Sequence, residues 1–231
     1  MHNFKLALPP NFYVGTKAEL VVEAIRTAIL TGDILPGSRI TEQQVKAELN
    51  VSSSPVREAF HQLEAEGLLT RSPHIGTTVT SMEIEDAKEL YRIQALLQST
   101  ALQICCNRLT DADIAEAKAL NDEIKKLIRG KIDVKLIRVV NYKLHMILCG
   151  KNVYPWLTRL ISGLWIMLPT QSVWLAPQRP LHIVREHEKI LNAVEKKDGM
   201  RAGALMQEHL KNSQSVLFGK QGKSSVSFSR K

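Results

Sequence analysis

The stretch Val51–Gly67, VSSSPVREAFHQLEAEG, constrains this chain more than any other. It opens with a polar turn in which Ser52 or Ser54 can cap a helix. Pro55 falls in the first turn, where a missing N–H costs little. Val56, Ala59, Phe60 and Leu63 then recur at the spacing of one helical face. The other side presents Ser53, Ser54 and Arg57 close to the helix N-terminus. Short hydroxyls with one long cation at that end suit hydrogen bonding to phosphates and base edges in a major groove. An ordinary amphipathic helix with a capped end has the same pattern, and this segment alone does not separate the two.

Its neighbours do. Thr41 with Gln44 three residues on has the form of a capping box, opening a short helix with Val45 and Leu49 inward. Asn50 and Val51 leave only a tight connection to the next helix, the arrangement of a helix-turn-helix. Leu68–Arg71 and Thr77–Thr80 read as two short strands, and Ser72 to Gly76 as the hairpin tip, or wing. Upstream, Thr16 with Glu19 caps a helix carrying Leu20, Ala24, Ile25 and Ala28, which Gly32 ends. Arg26 and Arg39 are either phosphate contacts or solvated surface.

Around Thr80 to Glu85 the pattern changes to long helical segments, so a winged helix-turn-helix (16–80) is followed by an all-α antiparallel bundle (81–218). The fold class is mainly α. Ile84 to Ile104 forms one bundle helix, and Thr110 with Asp113 starts another running to Gly130. Ile132–Cys149, Pro155–Leu168, Pro180–Lys197 and Gly199–Leu217 complete six. Residues 1–15 form an N-terminal arm, and 219–231 have the composition of a disordered basic tail.

No run approaches the length of a transmembrane helix, and no signal peptide is apparent. Cys105, Cys106 and Cys149 form no C-x-x-C pattern, so reduced thiols and a cytoplasmic location are expected. The net charge of +8 does not mark where nucleic acid would bind, because residues 1–80 hold seven Lys and Arg against eight Asp and Glu.

Histidine placement is the second informative feature. Asn141 and His145 share one helical face, while His187 and His209 lie on two later helices. Three neutral imidazoles and one oxygen donor converging in a bundle would suit Zn²⁺, Ni²⁺ or a similar divalent ion. Core or surface histidines without metal are the plain alternative.

The run Gly32–Val79 resembles the winged-helix reading head of GntR-type transcription regulators: the PG turn, the VS-x-x-PVREA block and the L-x-x-EGL passage into the wing occur in order. Residues 86–215 resemble the FCD domain of the FadR-like branch, through LYRIQALLQSTA, NYKLHMIL and EHEKILNAVEKKDGMRAGALMQEHL. The resemblance implies DNA contacts from Gln43, Ser52, Ser53, Ser54, Arg57, His74, Gly76 and Thr77. It also implies a metal held by Asn141, His145, His187 and His209 beneath a small carboxylic acid effector, with Gln94 and Asn141 touching the effector.

Three departures stand out. Asn141 replaces a commoner Asp, so no anionic ligand offsets the ion. Gln94 and Gln98 stand where the family often carries Arg and Glu, which removes the usual carboxylate clamp. Ser53 stands where a longer residue is common, so base readout leans on Arg57 and Gln43. His61 and His182 are assigned ordinary surface or packing roles.

The resemblance therefore implies a homodimeric regulator of double-stranded DNA with a palindromic operator, controlled by a small-molecule effector, with no membrane partner and no enzymatic activity. Repression is the expectation for the sign, and dimerisation is placed on the first and fourth bundle helices. The competing readings are a metal-dependent enzyme, since three histidines with an open position can activate water, and an architectural DNA-binding dimer without effector.

Overall fold

The computed structural model describes residues 6, 15–130, 132–150 and 153–218. Apart from Leu6 and Gly15, the expected N-terminal arm lies outside the described residues, as does the whole basic tail. The chain divides between Met82 and Glu83 into two compact units.

The first unit is a winged helix-turn-helix. Helix α1 (Lys17–Thr31) starts at a complete capping box, Thr16 Oγ1 accepting from Glu19 N and Glu19 returning to Thr16 N, and stops at Gly32 with φ 82°. Its Val21, Val22, Ile25 and Ala28 bury against α3 (Ser53–Ala65), whose Val56, Ala59, Phe60 and Leu63 are also buried. Helix α2 (Glu42–Leu49) has its own Thr41–Gln44 box and ends at Asn50 with φ 50°, a left-handed turn that Asn tolerates. Ser52 occupies the cap position of α3, but no side-chain bond caps the helix; Ser54 lies within its first turn. The first amides of α3 are therefore not closed off by a serine hydroxyl, contrary to the reading from sequence.

The wing pairs β1 (Leu69–Ser72) antiparallel with β2 (Gly76–Val79), Leu69 opposite Val79 and Ser72 opposite Gly76. The tip is Pro73-His74-Ile75, so β1 sits one residue later and β2 one residue earlier than the sequence pattern predicts. Gly76 has φ 86°, a left-handed conformation that favours glycine at this corner. Residues 37–40 run along β2 through Ile40 N to Thr77 O (3.0 Å) and Gly37 N to Val79 O (2.8 Å). Arg26 is ion-paired to Glu23 and Glu66 within this unit.

The second unit is the expected helical bundle: α4 (Ile84–Cys105), a 3-10 turn (Cys106–Arg108), α5 (Asp111–Arg129), α6 (Val134–Leu148), α7 (Pro155–Ile166), α8 (Gln171–Leu175), α9 (Arg179–Glu195) and α10 (Gly199–Phe218). The short α8 is an addition to the sequence reading; with no full amphipathic period in five residues, it leaves no signal. Helix α5 packs on α6 and α9, and α10 on α4 and α9. Helices α10 and α4 approach tightly: Cβ atoms added at Gly199 and Gly203 would come within 2.8 Å of Gln103 O and 2.7 Å of Ser99 O. Among the described residues, no helix is long and apolar enough to cross a membrane.

Because Ser99 O is backbone and cannot swing aside, Gly203→Val is expected to destabilise the bundle by roughly 1–3 kcal/mol, the usual range for overpacking. A thermal melt followed by circular dichroism, with exposed Met200→Val as control, checks this.

Candidate metal centre

His145 on α6, His187 on α9 and His209 on α10 meet in the interior of the bundle. Each is at most 3% exposed, their ligating nitrogens all lie within 4.8 Å of one another, and the ring centroids are 4.8–5.3 Å apart. Asn141 sits one turn before His145, also buried, and its Oδ1 has no hydrogen-bond partner.

The partners of the three rings determine which nitrogen carries the proton. His145 Nδ1 lies 2.7 Å from Gln98 Oε1; Gln98 Nε2 donates to Gln94 Oε1 at 2.8 Å; Gln94 Nε2 donates to the Ile161 carbonyl at 2.8 Å. A backbone carbonyl only accepts, so it sets the direction of both amides and leaves Nδ1 of His145 as the donor. His187 Nδ1 faces Asn121 Oδ1 at 3.0 Å, and Asn121 Nδ2 donates to the Val184 carbonyl, with the same result. His209 Nδ1 donates to Glu186 Oε2 at 2.7 Å. Glu186 also accepts two bonds from Arg179, at 2.8 and 2.9 Å, and one from Asn212. With the three protons on Nδ1, each Nε2 is a bare lone pair. Those of His145 and His187 are buried with no partner.

Electrostatics keep the rings neutral. Burial lowers the pKa of His145 and His187 well below the ordinary histidine value, and the neighbouring imidazoles push the same way. Burial also lowers that of His209, although Glu186 pulls against it. Burial raises Glu186, but bonds from His209 and Arg179 outweigh it and hold the carboxyl at about 2. Orphaned lone pairs on neutral imidazoles, each oriented through its other nitrogen, are the donor set of a first-row divalent ion. The residues fit such an ion, with His145, His187 and His209 as nitrogen ligands and Asn141 Oδ1 as the oxygen.

A small cavity of about 20 Å³, room for about one water, adjoins the centre, lined in part by Tyr91, Asn141, Trp165, Thr170, Trp174 and His209. Asn141 therefore faces both the histidines' side and the cavity. Gln94 is not among the residues that line it: fully buried, its amide is bonded to Gln98 and the Ile161 carbonyl. Gln98, Asn121, Glu186 and Arg179 are the supporting residues the sequence reading missed. Glu186, one residue before His187, does not face it. It turns toward His209 instead, a relation that only the packing of α9 on α10 creates.

In the first unit Gln43, Ser52, Ser54, Arg57 and His74 are exposed, and Ser53 and Gly76 half-exposed. Arg57 is held by Glu42 on α2 at 3.0 Å while its side chain stays 65% exposed. Thr77 is different: it alternates inward with Val79 and is buried, so it is a structural residue of the wing and not a surface for DNA.

Two outcomes are expected. Zn²⁺ binds one per chain and raises the melting temperature; His145→Ala and His187→Ala abolish this, and Glu186→Gln weakens it about tenfold or more, by calorimetric titration. Without metal, the bundle loses stability as pH falls below about 6.5, because unfolded histidines take up protons that the buried ones refuse. Each contributes up to about 1.4 kcal/mol per pH unit. Glu186 stays ionised in both states until pH approaches the ordinary carboxyl range and adds nothing to that first loss. Urea melts between pH 7.5 and 5 check the slope.

Residues 17–79 match the model of bacterial regulatory proteins of the gntR family, and residues 89–212 match the FCD domain. The chain is 30% identical to the HTH-type transcriptional regulator YdhC of Bacillus subtilis (strain 168), covering 86% of this chain and 87% of that one. It is 28% identical to the regulator LutR of the same organism, over 83% and 96% of the two. The solved structure of Escherichia coli McbR/YncC superposes with a TM-score of 0.78 at 22% identity, covering 89% of this chain and 98% of that one, a likeness of fold. The chain thus belongs to the GntR family of DNA-binding transcription regulators, its winged helix-turn-helix followed by an FCD domain.

Proposed function

We propose that this regulator is governed by a small anionic metabolite bound in the FCD pocket beside a divalent metal. The observation that carries the reading is the set of partnerless lone pairs, His145 Nε2, His187 Nε2 and Asn141 Oδ1, buried next to a cavity. Buried polar groups without partners are costly, and three around one point are accounted for together by a cation. Held by His145, His187, His209 and Asn141, such a metal would supply positive charge beside the cavity. Asn141, lining that cavity, orients whatever completes the coordination.

The DNA-reading surface is the exposed N-terminal part of α3 with α2 and the wing: Gln43, Ser52, Ser53, Ser54, Arg57, His74 and Gly76. The uncapped first turn of α3 leaves its amides for a phosphate. Arg57 stays exposed beside Glu42 and can reach a base edge. Two copies reading the halves of a palindrome would account for a short recognition surface giving adequate specificity. Exposed Leu96 on α4 and Trp156 and Leu160 on α7 supply apolar surface for that pairing. Regulation as a repressor is part of the proposal.

The enzyme reading is weaker. No described carboxylate or thiol stands free beside the three Nε2 atoms; Glu186 is consumed by His209, Arg179 and Asn212.

Fluorescence anisotropy with DNA from upstream of the gene, against scrambled DNA at physiological salt, tests the reading head. Arg57→Ala is expected to remove specific binding with fold and oligomeric state intact. Glu42→Gln, by releasing Arg57 and removing a negative charge near phosphate, is expected to raise affinity a few-fold and steepen the salt dependence. Specific binding unchanged in Arg57→Ala would overturn its assignment.

A further inference from the structure

The three histidines are closed in. Each is buried, and the cavity beside them has room for about one water. A hydrated divalent ion is larger than that, and so is any organic acid. Whatever reaches the three Nε2 atoms has to displace part of the wall. Tyr91, Asn141, Ile183 and His209 line the cavity from α4, α6, α9 and α10, helices of 15 to 22 residues. Much of the remaining wall is Leu168, Thr170, Val173 and Trp174, all within one short connection between α7 and α9.

That connection, residues 167–178, is held differently from the other walls. It contains a single helical turn, α8, without a side-chain cap, and Pro169 and Pro177 stand on either side. One turn of helix does not repay its own nucleation. Its backbone hydrogen bonds are local: Leu168 N to Trp165 O, Val173 N to Thr170 O, Arg179 N to Ala176 O. Among the described residues, one side-chain hydrogen bond ties it to another helix, from Arg138 Nε on α6 to Thr170 Oγ1 at 3.0 Å. At its far end Gln178 has φ 59°, a left-handed conformation that residues with a side chain seldom adopt. The next residue, Arg179, is fixed by two bonds to Glu186 and one to Ser213, so any movement of the connection stops at Gln178. Burial of Leu168, Val173 and Trp174 is what holds the connection down. A strip secured by three apolar side chains and one hydrogen bond opens more readily than the helices around it.

We propose that residues 167–178 form a lid over the metal centre, hinged at Gln178, plugged by Trp174 and latched by the Arg138–Thr170 hydrogen bond. The proposal deepens the effector reading above and rests on it, since ion and anion would enter by the same opening. In the closed form the Thr170 hydroxyl offsets the desolvation of Arg138, which is buried on α6. In the open form Thr170 leaves Arg138 to water and Trp174 withdraws, uncovering Asn141 and His209. Neither Thr170 nor Trp174 belongs to the donor set. The latch therefore governs how fast the centre exchanges its contents, and not how tightly it holds them: a weaker latch raises the open population and speeds entry and exit alike.

The test uses the full-length protein in two measurements. Zn²⁺ uptake from a weak zinc indicator and Zn²⁺ release into excess chelator give both rates, and competition gives the affinity. Hydrogen exchange of the metal-free protein, read by mass spectrometry, gives the opening of residues 167–178 without any metal. Thr170→Val keeps the volume and removes the hydroxyl. It is expected to raise uptake and release together, roughly tenfold, with the affinity within about twofold of wild type. Thr170→Ser keeps the hydroxyl and is expected to behave as wild type. Residues 167–178 are expected to exchange faster than α6 and α9, and faster again in Thr170→Val while α6 and α9 stay unchanged. Circular dichroism melts confirm folding, and Trp174→Leu, a smaller plug, serves if Thr170→Val does not fold.

Both rates unmoved by Thr170→Val overturn the lid and leave the metal reading standing. So does faster release with unchanged uptake, because Thr170 then supports the bound ion and not the closed wall. Protein that takes up no Zn²⁺ overturns the metal reading, and hydrogen exchange then decides the lid alone. Fast exchange of residues 167–178 that Thr170→Val accelerates upholds it; protection equal to that of α6 and α9 overturns it.

Discussion

The chemistry of the bundle depends on one constraint: three buried imidazoles must each hold a proton on Nδ1. Backbone carbonyls of Ile161 and Val184 set two of them, acting through Gln94 and Gln98 in one case and Asn121 in the other. The Glu186 carboxylate sets the third. Each proton donated outward aims a bare nitrogen inward. A site held in this way is preorganised, since a metal entering it would reorient no side chain to find its ligands. The same arrangement is unfavourable when empty, because low-dielectric surroundings that strengthen satisfied bonds also make orphaned lone pairs costly.

Glutamine at positions 94 and 98 bears on the same point. A neutral amide chain gives His145 the required orientation without adding charge, whereas Glu186 lends His209 full negative charge and more basicity. The centre therefore has one strongly supported imidazole and two weakly supported ones, with an amide in place of a carboxylate ligand at Asn141. Such a donor set leaves the charge of a bound dication largely uncompensated by protein.

The winged unit follows a different logic. Its helices are closed by local devices, the capping boxes at Thr16 and Thr41 and left-handed turns at Gly32 and Asn50, while α3 alone begins without a side-chain cap. In a helix packed on α1 through Val56, Ala59 and Phe60, tertiary burial supplies the stability that capping would otherwise add. Its N-terminal amides and the hydroxyls of Ser52 and Ser54 are left to solvent or a partner.

Local features were legible in the sequence because short-range physics produces them. Capping pairs at Thr16, Thr41 and Thr110, the helical periods of the bundle, and the shared face of Asn141 and His145 need no knowledge of distant residues. Strand ends shifted by a residue, and the inward turn of Thr77, followed from pairing with residues 37–40, which no local pattern encodes. Helix spacing put His187 and His209 on separate elements, but only packing of α6, α9 and α10 brought them to one point. The roles of Glu186, Asn121 and Gln94 arise across 23, 66 and 67 residues of chain. The sequence by itself determined the elements and their amphipathic faces, because those depend on neighbours three and four residues away. Which buried polar groups find partners and which are left open was decided by tertiary structure, because hydrogen bonding in a closed interior is settled only when every helix is in place.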